Sequence, residues 1–172
     1  MKNHDYWRDR HKVLSALDLN SIDRPITDLI TRINRLSFCF TLQSCFGHFI
    51  SKPNQNNHNL EPLPSQDCGP VRYRIAYISL CIENSAAGRA FQESLGLVAA
   101  GNPSYVQFGS ADWFWERYVN SYALQVEPVR YKQMDVAMLD YVEALHVQKH
   151  RDIFFKELET LITRMVLNQK AG

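Results

Sequence analysis

A short run of small polar, thiol and imidazole side chains, TLQSCFGH, extends from Thr41 to His48. It continues an alternating segment typical of a β-strand, and its glycine predicts a turn near Phe46 and Gly47 with a returning strand through Ile50. A strand end followed by a glycine turn exposes backbone N–H groups beside short polar side chains. Ligand carboxylates, hydroxyls and phosphates are often held in such places. The alternative is a hairpin turn with a buried cysteine and no ligand.

A second candidate is the aromatic run WFWERY at positions 113–118. Its aromatic content favours a hairpin over residues 104–119, although a helix capped by Ser110 also fits the spacing. On a strand, alternation would place Trp113, Trp115 and Arg117 on one face and Phe114, Glu116 and Tyr118 on the other. One face could stack on a nucleic-acid base, but core packing or a partner interface is the simpler interpretation.

Two further groups have the side chains of metal ligands. Glu143, His146 and His150 are spaced three and four residues apart on a predicted helix, but a helical triplet offers at most three ligands. Cys45 and His48, with Cys39 upstream, lack a second cysteine–histidine cluster that would complete a site. A nucleophilic Cys45–His48 pair lacks an evident orienting acid. From the sequence we therefore predict no metal site.

The segment from Ser21 to His48 resembles the opening of the tRNA wybutosine-synthesising methyltransferase family, the third enzyme of that pathway. Family members have an Asp before a helix, an Asn near its end, and then a strand with a Thr-Thr-Ser-Ser-Cys-Ser-Gly-Arg motif. The matching positions in this sequence are Asp23, Asn34, Thr41, Ser44, Cys45 and Gly47. The order of the later predicted elements also fits over most of the chain.

The resemblance implies a protein that binds S-adenosylmethionine and methylates a ring nitrogen of a modified guanosine in tRNA. The positions it implies for cofactor or substrate binding are Thr41, Ser44, Cys45, Gly47, His48, Ser79 and Glu116. No catalytic residue is assigned, because methyl transfer from a sulfonium depends mainly on positioning.

The sequence also departs from the family motif. His48 stands where the family has an arginine, Gln43 and Phe46 stand where it has serines, and Ser79 stands where members tend to have a histidine in the central strand. A histidine is a weaker anchor than arginine for a carboxylate or phosphate at neutral pH. The alternative function is therefore a non-catalytic ligand-binding or protein-interaction module on the same fold.

Composition limits the class of protein. The 172 residues are 45% hydrophobic and 22% charged, which fits one globular domain, 1–172. The charged N-terminus lacks the apolar core of a signal peptide. The spacing of the four cysteines does not suggest a disulfide framework, and no apolar run is long enough to span a membrane. We therefore expect a cytoplasmic location. The net charge of +1 argues against strong non-specific binding to nucleic acid.

The elements that must position these residues form a predicted α+β domain with a mostly antiparallel mixed sheet and flanking helices. A helix at 5–18 is expected to have Trp7, Val13, Leu14 and Leu17 on one face, and a second helix is expected to begin at an Asp23 N-cap. The strongest predicted strand is Arg72–Glu83, followed by a helix capped near Ser85. A strand is predicted at 122–127 and a long final helix from Asp135 to about Leu167. The segment 52–70, rich in Pro, Asn and Gln, is expected to be a flexible loop.

Overall fold

The computed structural model describes residues 4–111, 118–129 and 135–171, with side chains described as far as Leu167. Its elements follow in chain order as helix α1 (Tyr6–Ser15), a short 3₁₀ turn (Leu19–Ser21), a second 3₁₀ turn (Arg24–Ile26), helix α2 (Thr27–Arg35), strands β1 (Cys39–Cys45), β2 (His48–Ile50), β3 (Val71–Arg74) and β4 (Ala76–Ile82), helix α3 (Ala86–Ala100), strands β5 (Val106–Ser110), β6 (Ser121–Val126) and β7 (Val136–Leu139), and helix α4 (Tyr141–Ala171). The α+β class and the long C-terminal helix are confirmed.

The strands form two antiparallel sheets. The larger has the order β1-β4-β6-β5 and the smaller the order β2-β3-β7. β1 and β2 together run beside β3 and β4, and the register continues across the break, with Cys45 opposite Tyr77 and His48 opposite Arg74. The prediction of a strand that returns beside β1 is therefore wrong. The chain bends at Gly47 and passes from one sheet into the other without reversing.

Helices α2, α3 and α4 cover one face of the larger sheet. Apolar side chains from the helices, including Ile33, Phe91 and Leu158, pack against Ile78 and Leu124 of the central strands. A smaller cluster on the other face joins Tyr6 of α1 to Phe40 and Cys81. Val13 and Leu14 pack against this cluster as expected for the apolar face of α1, but Trp7 is 57% exposed and Tyr6 is the buried ring instead.

Local signals located some elements well. The Ser85 hydroxyl accepts a hydrogen bond from the Gly88 N–H and so caps α3 as expected. β6 is confirmed within one residue. The predicted strand at Arg72–Glu83 is two strands, β3 and β4, separated at Ile75.

Other boundaries differ. The predicted final helix includes β7, whose residues pair with β3, and α4 begins only at Tyr141. β5 confirms the strand at the start of the predicted 104–119 hairpin, but it pairs with β6 at Ser121–Val126. Residues 112–117 of the predicted second strand lie outside the described ranges. The segment 52–70 has no helix or strand, as expected, and it contacts the rest of the domain through Leu63 and Pro64. In the part of the chain that the structure describes, no helix is long and apolar enough to cross a bilayer.

Candidate functional site

A cleft of about 220 Å³ lies along β1, the edge strand of the larger sheet. Aliphatic side chains of Ile22 and Ile30 form part of its wall. The polar groups that line it are Ser21, Thr41, Gln43, Ser44 and Tyr77. The cleft is smaller than the roughly 300 Å³ or more typical of a site that encloses a whole small molecule. It can therefore hold one part of a larger ligand, such as a base or an amino-acid group.

Side chains from two other segments bind the outer edge of β1. The Asn34 side chain accepts a hydrogen bond from the Thr41 N–H and donates one to Thr41 Oγ1, both at 2.8 Å. The Asp23 carboxylate accepts a hydrogen bond from the Phe46 N–H at 2.7 Å. These contacts satisfy two donors that an edge strand would otherwise expose.

Ser44 lies between these two fixed points. Backbone N–H groups alternate in direction along a strand, so the Ser44 N–H points to the same side as the Phe46 N–H two residues on. That side faces the cleft, which the Ser44 side chain also lines. The edge of β1 therefore offers backbone and hydroxyl donors to a ligand there.

Gly47 forms the bend that ends this edge. Its φ is +89°, and a Cβ atom added to it would lie 2.8 Å from the Cβ atom of Ala76. Only glycine adopts this backbone without strain while allowing such a close approach. The bend turns Phe46 away from the cleft, and its ring stacks on Phe155 of α4 with 5.1 Å between the ring centres. Phe46 therefore does not fill the cleft.

Arg151 of α4 holds the bend from the other side. Its Nη1 donates a hydrogen bond to the Gly47 carbonyl at 3.0 Å, and its guanidinium lies 4.1 Å from the centre of the Phe46 ring. The residue is only 4% exposed, and the Asp152 carboxylate accepts hydrogen bonds from its remaining nitrogens. A buried cation that is bonded in this way fixes the backbone next to the site.

Behind the bend, Asp23, Cys45 and His48 form a cluster in which their oxygen, sulfur and nitrogen atoms lie within 4.8 Å of one another. His48 is 1% exposed, with Nε2 3.2 Å from Asp23 Oδ2 and Nδ1 3.2 Å from the Asn59 carbonyl oxygen. Because both ring nitrogens face acceptors, the imidazole carries both protons. Asp23 was expected to cap a helix, but its carboxylate makes no cap hydrogen bond and belongs to this cluster.

The charges of this pair stabilise each other. Burial alone would lower the pKa of His48, but hydrogen bonds and electrostatic attraction to Asp23 and Cys45 raise it to about 10. Burial would raise the pKa of Asp23, but hydrogen bonds from His48 and the Phe46 N–H hold it below its usual range. The His48 imidazolium is therefore neutralised inside the protein and does not line the β1 cleft.

The predicted site residues fall into separate groups. Thr41 and Ser44 line the cleft. Cys45, Gly47 and His48 are buried at the bend behind it. Ser79 is fully buried in β4, and its hydroxyl has no hydrogen-bond partner among the described residues. Glu116 lies outside those residues, as do Trp113, Phe114, Trp115 and Arg117 of the aromatic run.

The helical triplet Glu143, His146 and His150 does not form one site. Glu143 and His146 border a separate cavity of about 540 Å³ together with Asp67 and Asp140. The His150 ring instead stacks on Tyr105 with 4.3 Å between centres and hydrogen-bonds Asn102. Burial and then the nearby Lys149 and His146 lower the pKa of His150.

Comparison with known proteins identifies a fold. No protein-family model matches the sequence, and no curated protein is significantly similar to it. The chain is similar in structure to the PH1069 protein from Pyrococcus horikoshii, with a TM-score of 0.55 and 11% identity over 92% of this chain and 96% of that one. A structure of PH1069 from Pyrococcus horikoshii OT3 has a TM-score of 0.49 at 13% identity, covering 98% and 95% of the two chains. A hypothetical protein from Aeropyrum pernix has a TM-score of 0.43 at 13% identity, covering 83% and 96%.

Proposed function

We propose that the protein binds the methyl donor S-adenosylmethionine in the β1 cleft and methylates a ring nitrogen of a modified guanosine in tRNA. The observation that carries this proposal is the position of Ser44 on the edge of β1, between the contact of Asn34 with Thr41 and that of Asp23 with Phe46. Asp23, Asn34, Thr41 and Ser44 are all positions at which the sequence resembles the wybutosine methyltransferase family. With this function we also propose a cytoplasmic location.

Methyl transfer requires the protein mainly to position the methyl donor and the ring nitrogen. Bound S-adenosylmethionine would supply the methyl group: the ring nitrogen would form a bond to it as the sulfur–carbon bond breaks, and the proton of the nitrogen would pass to water. Thr41 is only 3% exposed, and its Oγ1 accepts a hydrogen bond from Asn34, so Thr41 fixes the wall of the cleft. The Ser44 hydroxyl and N–H supply donors at the same edge. These groups can orient a base or a carboxylate while the rest of the ligand lies on the surface.

The test is methyl transfer from isotopically labelled S-adenosylmethionine to tRNA purified from a strain that lacks this gene. Nucleosides of the digested tRNA are then separated and weighed by mass spectrometry. We expect a labelled, methylated guanosine derivative with the wild-type protein and none with Ser44→Trp, which fills the cleft. Ser104→Trp is the matched control, because Ser104 is exposed and precedes β5 at the opposite edge of the sheet. If the tRNA stays unlabelled although the wild-type protein is folded and saturated with S-adenosylmethionine, the proposal of catalysis is contradicted.

A second candidate is a binding module without catalysis. It is favoured by the burial of Cys45 and His48, which are 4% and 1% exposed and cannot contact a ligand in the cleft. The same experiment separates the two functions. A binding module retains the affinity for S-adenosylmethionine or a nucleoside but transfers no label.

A further inference from the structure

We propose that Asp23, Cys45 and His48 bind a structural zinc ion, with His58 as the fourth ligand. This site lies behind the Gly47 bend and does not depend on the methyltransferase proposal. The three nearer residues come from the turn before α2, the end of β1 and the start of β2. Sequence spacing did not predict the site, because the Asp23 ligand precedes the other two by more than twenty residues.

The donor set suits zinc. Thiolate, imidazole and carboxylate are its usual protein ligands, and in a tetrahedral site their donor atoms lie about 3.3 to 3.6 Å apart. The candidate donor atoms already lie within 4.8 Å of one another, and His48 Nε2 is 3.2 Å from Asp23 Oδ2. Small side-chain rotations would bring all three to bonding distance of one ion.

Backbone groups hold each ligand in place. His48 Nδ1 donates to the Asn59 carbonyl oxygen, which directs Nε2 toward the cluster. The Gly47 N–H donates to Cys45 Sγ at 3.4 Å, and the Phe46 N–H donates to Asp23 Oδ2. Hydrogen bonds of this kind orient metal ligands and tune their charge, and a histidine that ligates zinc usually donates its other N–H to a carbonyl or carboxylate.

His58 is placed to complete the coordination. Its ring lies edge-to-face with the His48 ring, with 5.4 Å between the ring centres. The residue is exposed and directly precedes Asn59, whose carbonyl already holds His48. A rotation of its side chain would supply a second imidazole nitrogen and close the tetrahedron, as structural zinc sites require.

Charge balance also permits an ion in this place. A zinc ion would balance the Cys45 thiolate and the Asp23 carboxylate, so the buried cluster would have no net charge. Binding displaces the proton on His48 Nε2 and the proton of the thiol, and both pass to solvent. The ion would link segment 52–70 to the β1–β2 bend through His58. The hydrogen bond between His48 and Asn59 already joins the same two segments.

The test begins with protein purified without chelator and dialysed against metal-free buffer. Its zinc content is measured by inductively coupled plasma mass spectrometry, and its zinc affinity is measured by competition with a chromogenic chelator. Cobalt substituted for zinc reports the thiolate ligand through a sulfur-to-cobalt charge-transfer band. We expect about one zinc per chain and a charge-transfer band that Cys45→Ser abolishes.

Variants separate ligation from folding. His58→Ala changes an exposed side chain and should leave the domain folded. It should nevertheless weaken zinc affinity by about 100-fold or more, because losing a metal ligand costs at least as much affinity as losing a residue that hydrogen-bonds to a ligand. Cys68→Ser and His146→Ala are the matched controls and should retain wild-type affinity. The proposal is overturned by wild-type protein that holds less than a tenth of an equivalent of zinc and gives no cobalt band. Unchanged affinity in His58→Ala would equally overturn the four-ligand site.

Discussion

The Asn34 side chain makes two hydrogen bonds to Thr41, one from the Thr41 N–H and one to its hydroxyl, each 2.8 Å long. Asn34 is in the last turns of α2, and Thr41 is on the edge strand beyond the turn that follows the helix. One amide therefore fixes the helix to the strand beside the cleft.

Asn34→Ala should lower the free energy of unfolding by about 1 to 3 kcal/mol, because it leaves the buried Thr41 N–H without its acceptor. Urea denaturation followed by circular dichroism measures the change. Asn20→Ala, at an exposed position in the first 3₁₀ turn, should change stability by no more than about 0.5 kcal/mol. Equal effects of the two substitutions would refute a special role for Asn34.

Gly47 and Gly69 form a matched pair that separates backbone strain from steric overlap. Both have positive φ, but a Cβ atom at Gly69 would meet nothing within 4 Å, whereas one at Gly47 would lie 2.8 Å from Ala76. Gly69→Ala should cost about 1 to 2 kcal/mol from left-handed backbone strain. Gly47→Ala should cost about 1 to 3 kcal/mol more, because the bend cannot accommodate the methyl group. Thermal and urea unfolding compare the two, and a smaller loss at Gly47 would contradict the tight bend.

Arg151→Met should destabilise the domain by about 2 to 4 kcal/mol, because it removes a charged hydrogen bond to the Gly47 carbonyl and a cation–π contact with Phe46. Arg151→Lys should recover only part of this loss, since an ammonium group cannot both stack on the ring and make the same fork of hydrogen bonds. Both are measured by chemical denaturation. Arg164→Met, on the exposed side of α4, is the control and should have almost no effect.

Elements set by local chemistry could be predicted from the sequence. The signals for helix α3 are local, a serine cap directly before the helix and apolar residues along it, and the helix begins after Ser85 as predicted. β7 could not be predicted in this way, because a run of four apolar residues fits a helix turn as well as a strand. Its pairing with β3, more than sixty residues earlier, decides between them.

The candidate site was predicted only in part. Thr41 and Ser44 were identified from the small polar run on β1 and the resemblance, and they do line a cleft. Asp23 was interpreted as a helix cap, because its partners Phe46 and His48 lie far along the chain. Arg151 was missed since arginine is usually exposed, although its spacing from Val147, Phe154 and Leu158 places it on the buried stripe of α4.

The central claim is that the β1 cleft binds the methyl donor or its product, and calorimetric titration of the purified protein with S-adenosylhomocysteine tests it most directly. We predict a saturable heat with one site per chain, which Ser44→Trp abolishes and Ser104→Trp preserves. The absence of binding heat in folded wild-type protein, together with an unchanged melting temperature in excess ligand, would contradict the claim.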